Sequence, residues 1–444
     1  MKNYAPLRFC LFSLVIFLLA SCRDEEIIFP LSTCPEGATY ALDYRTTALD
    51  DGYIWFSESD GDVGHEERLN TSLAAGVLQA FNFPGACEET YTVSRAVIPF
   101  ESGSSAEGVA RSFRITEIGE VPSGALLDRV ANSRTSEVII NSGQIEILGV
   151  PPIEQAQLLV QISSFSGQGL ELVEEHRYFP NDSLLVLDIN SLFSTSAVGR
   201  LLLRLSETQE VFGFRIDFRT GYPTVMNFNQ FTPMESRTLN IDWPVFSANH
   251  LLTVNWVDDV RSQQQIFLGT NNGSSSITVE LPIDAEGVFL VKANWRNVAD
   301  FEVQYVYEQW PTELVLDPIV AGQIDAFNYP EINFDIELAD IIMLRGSLNN
   351  PPQDQFCSRH FIGPARIGKH TLTLPDLSPA FVDLGGSLPS LYERVYTETG
   401  RFTLIHYPAM QGSFDWYLNN IYNQGFSSEN WLETLEYERV TVEL

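Results

Sequence analysis

Hydrophobic and polar residues alternate along much of this chain with a period of two. Between residues 212 and 218, every second position is a large hydrophobic side chain. The same alternation recurs in residues 239–243, 277–281 and 332–338. Because successive side chains of a β-strand point to opposite faces, the pattern predicts strands with one buried and one solvated face. Such strands are typical of antiparallel sheets.

Turn residues divide these strands at short intervals. Gly, Pro, Asn and Asp separate the apolar runs by about 8 to 12 residues, which is the spacing of sandwich folds. The sequence therefore predicts an all-β fold of tandem antiparallel β-sandwich modules, either immunoglobulin-like or transthyretin-like. Helical patterns are short and lie near the C-terminus. We predict helices only within residues 389–396, 413–424 and 428–435.

The charge of the chain limits its partners. Its 444 residues include 58 acidic and 26 basic side chains, which gives a net charge of −32. Nucleic acids and anionic membrane surfaces repel such a protein, because binding to phosphates requires clustered Lys and Arg. The hydrophobic fraction of 44% is typical of packed globular domains, so each module has enough apolar residues for a core.

The N-terminus has the pattern of an export signal. Lys2 and Arg8 precede an apolar run over residues 9–20. This run is too short to span a bilayer, which takes about 20 apolar residues in a helix. A short basic segment followed by a short apolar segment is typical of a signal peptide. We therefore predict that residues 1–21 are removed from the mature protein.

The end of this signal peptide, Leu19-Ala20-Ser21-Cys22, resembles the lipobox of bacterial lipoproteins. The resemblance implies lipidation of Cys22, with lipid as the only contact with the membrane. The following acidic residues, 23–26, resemble the export signal that places lipoproteins of Bacteroidota on the outer face of the outer membrane. An ordinary secretory peptide, a plain acidic linker and a periplasmic orientation are the alternatives.

Turn clusters divide the mature chain into further segments. Residues 22–34 form an acidic linker after the signal peptide. Four predicted modules follow, at residues 35–135, 136–232, 233–311 and 312–444. The first three are β-sandwiches, and the last combines strands with the short helices.

The cysteines are consistent with an oxidising compartment. After processing, Cys34, Cys87 and Cys357 remain as candidates for free thiols or a disulfide. Cys34 and Cys87 fall in one predicted module, so we predict that they form a disulfide. The alternative is that both are small buried hydrophobic residues. Cys357 is then unpaired.

Three weak patterns suggest ligands or modification. Asp60 and Asp62 lie in the densest acidic cluster, where carboxylates in a flexible loop suit calcium, although a solvated turn explains them equally well. Trp55 and Trp295 are candidates for stacking on sugar rings if they are exposed, with burial in the core as the alternative. Ser183 follows Asp182 in a tripeptide that resembles the O-glycosylation acceptor of Bacteroidota.

Sequence motifs identify no catalytic residues. The chain lacks the spacings of a nucleophile elbow, a zinc-binding His-Glu-x-x-His helix, a phosphate-binding loop and a dinucleotide fingerprint. We therefore predict no cofactor apart from calcium, and a non-catalytic, lipid-anchored surface protein that binds or displays a glycan or a protein partner. The alternatives are a secreted hydrolase acting on glycan or protein, and a pilus or adhesin-type structural subunit.

Overall fold

The structure, a computed structural model, describes residues 39–45, 51–69, 78–84, 90–98, 112–128, 139–140, 143–152, 158–163, 170–172, 176–189, 193–194, 198–205, 210–217, 225–245, 247–257, 263–270, 275–350, 355–379, 388–410, 413–423 and 436–443. These residues form an all-β protein with several sheets, as the alternating pattern predicts. None of the described helices has the length and apolar character needed to cross a bilayer.

The N-terminal half of the described chain contains strands β1 to β17. The first seven strands are β1 Thr39–Arg45, β2 Asp51–Ser57, β3 Val63–Arg68, β4 Leu78–Pro84, β5 Thr90–Ile98, β6 Ser112–Pro122 and β7 Ala125–Asp128. The next ten are β8 Ile139–Ile140, β9 Gly143–Leu148, β10 Leu158–Ser163, β11 Leu170–Leu172, β12 His176–Phe179, β13 Leu184–Ile189, β14 Phe193–Ser194, β15 Val198–Leu205, β16 Val211–Asp217 and β17 Val225–Asn227.

The C-terminal half contains strands β18 to β31 and the helices. Its strands are β18 Thr232–Asp242, β19 Ala248–Val257, β20 Gln263–Thr270, β21 Ser276–Pro282, β22 Val288–Arg296, β23 Asp300–Tyr307, β24 Glu313–Val315, β25 Ala321–Asn328, β26 Glu331–Leu338, β27 Ile341–Asn350, β28 Gln355–Pro364, β29 Gly368–Thr373, β30 Arg401–His406 and β31 Tyr437–Glu443. The helices are a 3-10 turn at Phe228–Gln230, α1 Leu388–Thr399, α2 Phe414–Tyr417 and a π-helical turn at Leu418–Tyr422.

The longest described sheet has twelve strands in the order β20-β19-β22-β23-β31-β30-β27-β28-β6-β5-β2-β3. Its parallel pair, β28 with β6, joins the fourth predicted module to the first. A seven-stranded sheet, a four-stranded sheet, two three-stranded sheets and one strand pair complete the described pairings. The four module boundaries remain predictions, but strands on both sides of these boundaries pair in the twelve-stranded sheet.

The three-stranded sheet β25-β26-β29 covers a core that contains residues of β27, β28, α1 and β30. Ile332, Phe334 and Ile336 of β26 are buried there, while the residues between them remain at least partly accessible. The burial of alternate residues confirms the pattern read from residues 332–338. This sheet forms one wall of the candidate site described below.

Strand β16 confirms the strand predicted near residues 212–218, but its predicted burial on a single face is wrong. Val211 and Gly213 are buried, and Phe212 and Phe214 are half-buried. Met234 explains the difference, because a Cβ atom built on Gly213 would lie 1.6 Å from its Cε. Neighbouring structure therefore covers both faces of this strand.

Two of the three predicted helices lie in the described chain. Helix α1 spans the prediction at 389–396, and α2 with the π-helical turn lies within the prediction at 413–424. Ser413 caps α2, because its side chain accepts a hydrogen bond from the backbone N–H of Trp416. The third prediction, at 428–435, lies outside the described residues.

Candidate functional site

A cleft of about 260 Å³ lies between the three-stranded sheet and one part of the twelve-stranded sheet. Strand β29 forms one wall, and the beginning of β5 with the C-terminal part of β6 forms the other. The lining residues are Ser59, Thr90, Tyr91, Thr92, Gly119, Glu120, Ile342, Phe361, Pro364, Arg366, His370, Thr371, Leu372 and Thr373. Concave sites that combine an apolar floor with a few polar groups are typical of ligand pockets.

The wall formed by β5 and β6 contains a β-bulge. Their register shifts between Tyr91 and Val93, so that Thr92 lies opposite two residues, Gly119 and Glu120. The extra residue bends β6 at the place where it borders the cleft. Bulges of this kind are over-represented next to functional sites, where they redirect a side chain.

The second bulge residue has an unusual backbone conformation. Glu120 has a φ of 53°, in the left-handed region that side chains other than Gly rarely adopt. Such a conformation costs about 1 to 3 kcal/mol and persists only where the surrounding structure holds it. Gly119 is fixed on the other side by close packing, because a Cβ atom there would lie 2.9 Å from Cζ of Phe361. The close packing of Gly119 and the left-handed backbone of Glu120 together define the shape of the bulge.

An ion pair marks the rim of the cleft. The Nη2 atom of Arg366 donates a hydrogen bond to Oε1 of Glu120, and the two side chains are 66% and 42% exposed. Exposed pairs contribute only about 0 to 1 kcal/mol to stability. Both groups are therefore accessible to a ligand at little cost in folding free energy.

The floor of the cleft is apolar, and its walls carry hydroxyl groups. Ile342 and Phe361 are nearly fully buried beneath it, and Leu372 is half-buried in the wall of β29. Thr371 is exposed, and its hydroxyl donates to the side-chain oxygen of Asn333 at 2.6 Å. The Nδ1 atom of His370 lies 3.2 Å from the carbonyl oxygen of Gly368, which holds the imidazole ring in the wall.

The acidic turn predicted from the sequence lies beside this cleft. The backbone N–H of Asp62 donates to Oδ1 of Asp60 at 3.0 Å, and Gly61 between them has a φ of 93°. The carbonyl oxygen of Gly61 accepts the backbone N–H of Asp376 at 3.0 Å. Three carboxylates are thus brought together from two distant parts of the chain.

These carboxylates repel one another. Desolvation raises the pKa of Asp376 above its ordinary value, the negative charge of Asp62 raises it further, and Arg359 opposes the change. Among the described residues, no group of three or more His, Cys, Asp or Glu side chains has an arrangement suited to a metal ion. Calcium at Asp60 and Asp62 therefore stays a prediction.

Both tryptophans predicted to stack on sugars are buried. Trp55 is 0% exposed, and its Nε1 donates to the carbonyl oxygen of Asp376 at 3.1 Å. Trp295 is 3% exposed and stacks on Phe301, with ring centroids 5.4 Å apart. A ring without an exposed face has no surface for a sugar, so the prediction of glycan stacking at these two residues is wrong.

The remaining predicted sites fall in different parts of the chain. Ser183 lies in the turn between β12 and β13 with a φ of 50° and is partly accessible, and its O-glycosylation stays a prediction. Cys22, Cys34 and Cys87 lie outside the described residues, so lipidation and the disulfide also stay predictions. Cys357 is a free, buried cysteine of β28, and burial raises the pKa of its thiol to about 12.

Sequence reasoning missed the cleft because its residues come from five separate stretches of the chain, at residues 59, 90–92, 119–120, 342 and 361–373. Only one local feature of the sequence indicates part of this cleft. Gly119 and Glu120 interrupt the alternation of β6 between Ile118 and Val121, which is where the bulge forms. An isolated Gly in a strand pattern is a sign of a bulge.

Comparison with known proteins gives no family. No family model matches the chain, and no curated protein matches it. Among solved structures, the Bacillus anthracis TIE protein is similar over 63% of this chain and 51% of its own chain, with 12% sequence identity and a TM-score of 0.14. The match thus spans about half of that protein, and a similarity this weak carries no argument about fold or function.

Proposed function

We propose that this chain is a lipid-anchored protein of the outer membrane that faces the cell exterior and binds a ligand in the cleft between β29 and the β-bulge. The anchor is the lipid on Cys22, and the ligand is a glycan or a protein partner. Binding without catalysis is the role that the cleft supports best.

The observation that supports the proposal most strongly is the shape of the cleft, which a β-bulge and the packing around it define. A bulge in which Gly119 packs against Phe361 positions the carboxylate of Glu120 at the rim, beside the guanidinium of Arg366. Hydroxyl groups line the walls above an apolar floor. Because this arrangement exists before any ligand arrives, little conformational entropy is lost on binding.

Hydrolysis is the second class of function to weigh. A glycosidase requires two carboxyl groups about 5 to 9.5 Å apart on either side of the scissile bond. Among the lining residues, Glu120 supplies the one carboxylate, and it is paired with Arg366. The lining of the cleft therefore favours binding over glycoside hydrolysis. A pilus or adhesin-type subunit remains consistent with a binding cleft.

The proposal is tested by a thermal-shift screen of the lipid-free form, which we define as residues 23–444. The screen uses a panel of neutral and acidic oligosaccharides and a panel of short peptides. A ligand at 100 times its Kd stabilises the folded state by about 2.7 kcal/mol, which raises the Tm measurably.

Two matched variants assign any shift to the cleft. Thr92→Trp fills the cleft from its wall, whereas Thr278→Trp makes the same change at an exposed position of β21. We expect the ligand to raise the Tm of the parent protein and of the Thr278→Trp variant but not that of the Thr92→Trp variant. An equal shift in all three proteins would place the ligand elsewhere and reject the cleft as its site.

A further inference from the structure

Strand β29 is an edge strand of its sheet, and its outer edge borders the cleft. Within the described residues it pairs only with β26, through an antiparallel ladder from Glu331↔Thr373 to Ile336↔Gly368. That ladder is regular along its whole length. Residues 370–373 of the same strand line the cleft.

The ladder determines which backbone groups face the cleft. The N–H of Leu374 donates to the carbonyl oxygen of Pro330 at 2.9 Å, which makes this pair a hydrogen-bonded one. Hydrogen-bonded and non-hydrogen-bonded pairs alternate in an antiparallel ladder. The backbone groups of Leu372 and His370 therefore point to β26, and those of Thr373, Thr371 and Lys369 point away from it.

Three residues of β29 thus direct N–H and C=O groups away from β26, along an edge that has no strand partner among the described residues. No backbone hydrogen bond from Lys369, Thr371 or Thr373 to another described residue occurs on that side. Alternate residues of a strand are about 7 Å apart, so the edge offers donors and acceptors at a regular spacing. An extended polypeptide has matching groups at the same spacing.

The two edges of this sheet differ in how well they are protected. Strand β25 forms the opposite edge, and its ladder with β26 is interrupted between Ala321 and Gly322 and again between Ile324 and Ala326. Bulges of this kind discourage pairing with another chain, as do Lys and Pro. On β29 the protective residue is Lys369 at the start of the strand, while residues 370–373 carry none.

The side chains beside the edge select the kind of peptide. Leu372 packs against the core, and His370 lies against Phe334 with ring centroids 5.3 Å apart. A residue of an added strand opposite them would therefore lie over the apolar floor of Ile342 and Phe361. Residues opposite Thr371 and Thr373 would lie among hydroxyl groups. The cleft therefore suits a segment in which apolar and small polar residues alternate.

We propose that the cleft binds an extended segment of another protein, which pairs with β29 as an added strand. This inference rests on the proposed function of the cleft and names its ligand as a polypeptide. A second copy of this chain is disfavoured as the partner, because two molecules that each carry a net charge of −32 repel one another. Backbone hydrogen bonds supply affinity in this mode of binding, and alternate side chains supply specificity.

The test uses a library of acetylated, amidated heptapeptides with Val, Ile, Leu, Phe or Tyr at positions 2, 4 and 6 and Thr, Ser or Lys at the others. Binding to the lipid-free form is measured by fluorescence polarisation. The tightest peptide is then made in two N-methylated forms, one methylated at odd and one at even positions. Because only one set of N–H groups faces β29, we expect one form to lose at least 10-fold in affinity and the other less than 3-fold.

A variant of the protein tests the same edge of β29 without any change to the peptide. Thr371→Pro removes an N–H that faces the cleft without touching the ladder to β26. Thr371→Ala is its matched control, since it keeps that N–H. Both variants lose the hydroxyl of Thr371, so Thr371→Ala gives the baseline, and we expect Thr371→Pro to bind the peptide at least 10-fold more weakly than Thr371→Ala. If Thr371→Pro fails to fold, as its Tm will show, the two methylated peptides decide the question.

The outcomes separate this inference from the proposed function. Equal effects of both methylation patterns overturn strand addition. Absence of any peptide binder, together with an oligosaccharide that raises the Tm in the parent and not in the Thr92→Trp variant, overturns the inference and leaves the cleft as a glycan site. Failure of both panels to bind contradicts the inference and the proposed function together.

Discussion

The Nε atom of Arg359 lies 2.9 Å from both carboxylate oxygens of Glu117, and neither side chain is exposed to solvent. The pair joins β28 to β6 across 242 positions of the chain. The hydroxyl of Tyr392 in α1 donates to Oε1 of Glu117 at 2.7 Å, and Nη2 of Arg359 donates to the carbonyl oxygen of Pro375 at 3.1 Å. This network fixes the segment that leads from β29 to the acidic turn.

The charge of Arg359 persists in this buried place because of its partner. Desolvation lowers the pKa of the guanidinium, but the negative charge of Glu117 outweighs it and raises that pKa well above its ordinary value. The rings of Tyr392 and Tyr396 add to the attraction, with centroids 3.7 and 5.0 Å from the guanidinium carbon. A buried charge without such partners would cost several kcal/mol.

Removing one member of this pair is expected to be strongly destabilising. Arg359→Met leaves the carboxylate of Glu117 buried without its cation, so we expect the free energy of unfolding to fall by about 3 to 5 kcal/mol. The double variant Glu117→Leu with Arg359→Met should recover part of that loss, because no uncompensated charge remains. Urea unfolding of the lipid-free form measures both effects.

The exposed ion pair of Arg366 with Glu120 at the rim of the cleft is the control for the buried pair of Arg359 with Glu117. Arg366→Met breaks an ion pair of the same chemistry, with Glu120, at side chains that are 66% and 42% exposed. We expect a loss of about 0 to 1 kcal/mol. Equal losses in the Arg359→Met and Arg366→Met variants would show that burial does not make the Glu117 pair important.

Much of the secondary structure was predictable because its pattern is local. The alternation in residues 239–243 falls in β18, which ends at Asp242, and the alternations in residues 277–281 and 332–338 lie in β21 and β26. Leu239, Ile241 and Ile277 are buried there as that alternation requires. The burial of Glu280 was not predictable from the alternation. Its carboxylate is buried beside Arg204, whose Nη2 donates a hydrogen bond to Oε1 of Glu280 at 2.6 Å. Arg204 lies 76 positions away in the sequence, so no local pattern indicates this contact.

The candidate site was not predictable for a related reason. Its residues from β6 and β28 come together through the parallel pairing of these two strands, in which Thr116 lies opposite His360. No periodicity encodes a pairing between strands so far apart in the sequence. Trp55 illustrates the same limit, because its alternation left the buried face undecided until the segment at Asp376 was known to cover it.

A pH-dependent contribution to stability is expected from Glu302. Burial raises the pKa of this carboxyl, but Arg439, Lys292 and the hydroxyl of Tyr437 outweigh burial and hold it below the ordinary value of 4.5. A lowered pKa in the folded state stabilises the protein above pH 4.5, and that stabilisation is lost as the pH falls through the folded-state pKa. Glu302→Gln should therefore lower the Tm at pH 7. The difference in Tm between this variant and the parent protein should become smaller below pH 4.5.

The matched control for this pH series is Glu308→Gln, a change at an exposed residue that follows the end of β23. Its Tm should stay close to that of the parent at each pH. A Tm difference for Glu302→Gln that is constant from pH 7 to pH 3 would contradict the assignment, because it would reflect packing and not the ionised carboxylate.

Processing at the N-terminus is tested by Cys22→Ala. Without its thiol the chain has no acceptor for the lipid, so we expect the variant to incorporate no labelled fatty acid and to leave the membrane fraction or remain as the precursor. Ser21→Ala keeps a small residue before the cysteine and should be lipidated like the parent. Label in the Cys22→Ala protein would reject the lipobox.

The net charge of −32 predicts a salt effect on stability. Excess negative charges repel one another in the folded protein, and the screening length falls from about 30 Å at 0.01 M salt to about 10 Å at 0.1 M. Screening also weakens ion pairs, but the basic side chains are too few to pair with most of the acids. We expect the Tm of the lipid-free form to rise over this range of NaCl, and a flat or falling Tm would show that the acids are already neutralised.

The most direct test of the cleft as a ligand site is hydrogen exchange of the lipid-free form, with and without the ligand that gives the largest thermal shift. Bound ligand slows exchange at the backbone groups that it covers. We predict that the slowed amides concentrate in residues 90–92, 119–120 and 370–373, the walls of the cleft. Slowed exchange confined to other strands, with these three stretches unchanged, would contradict the account.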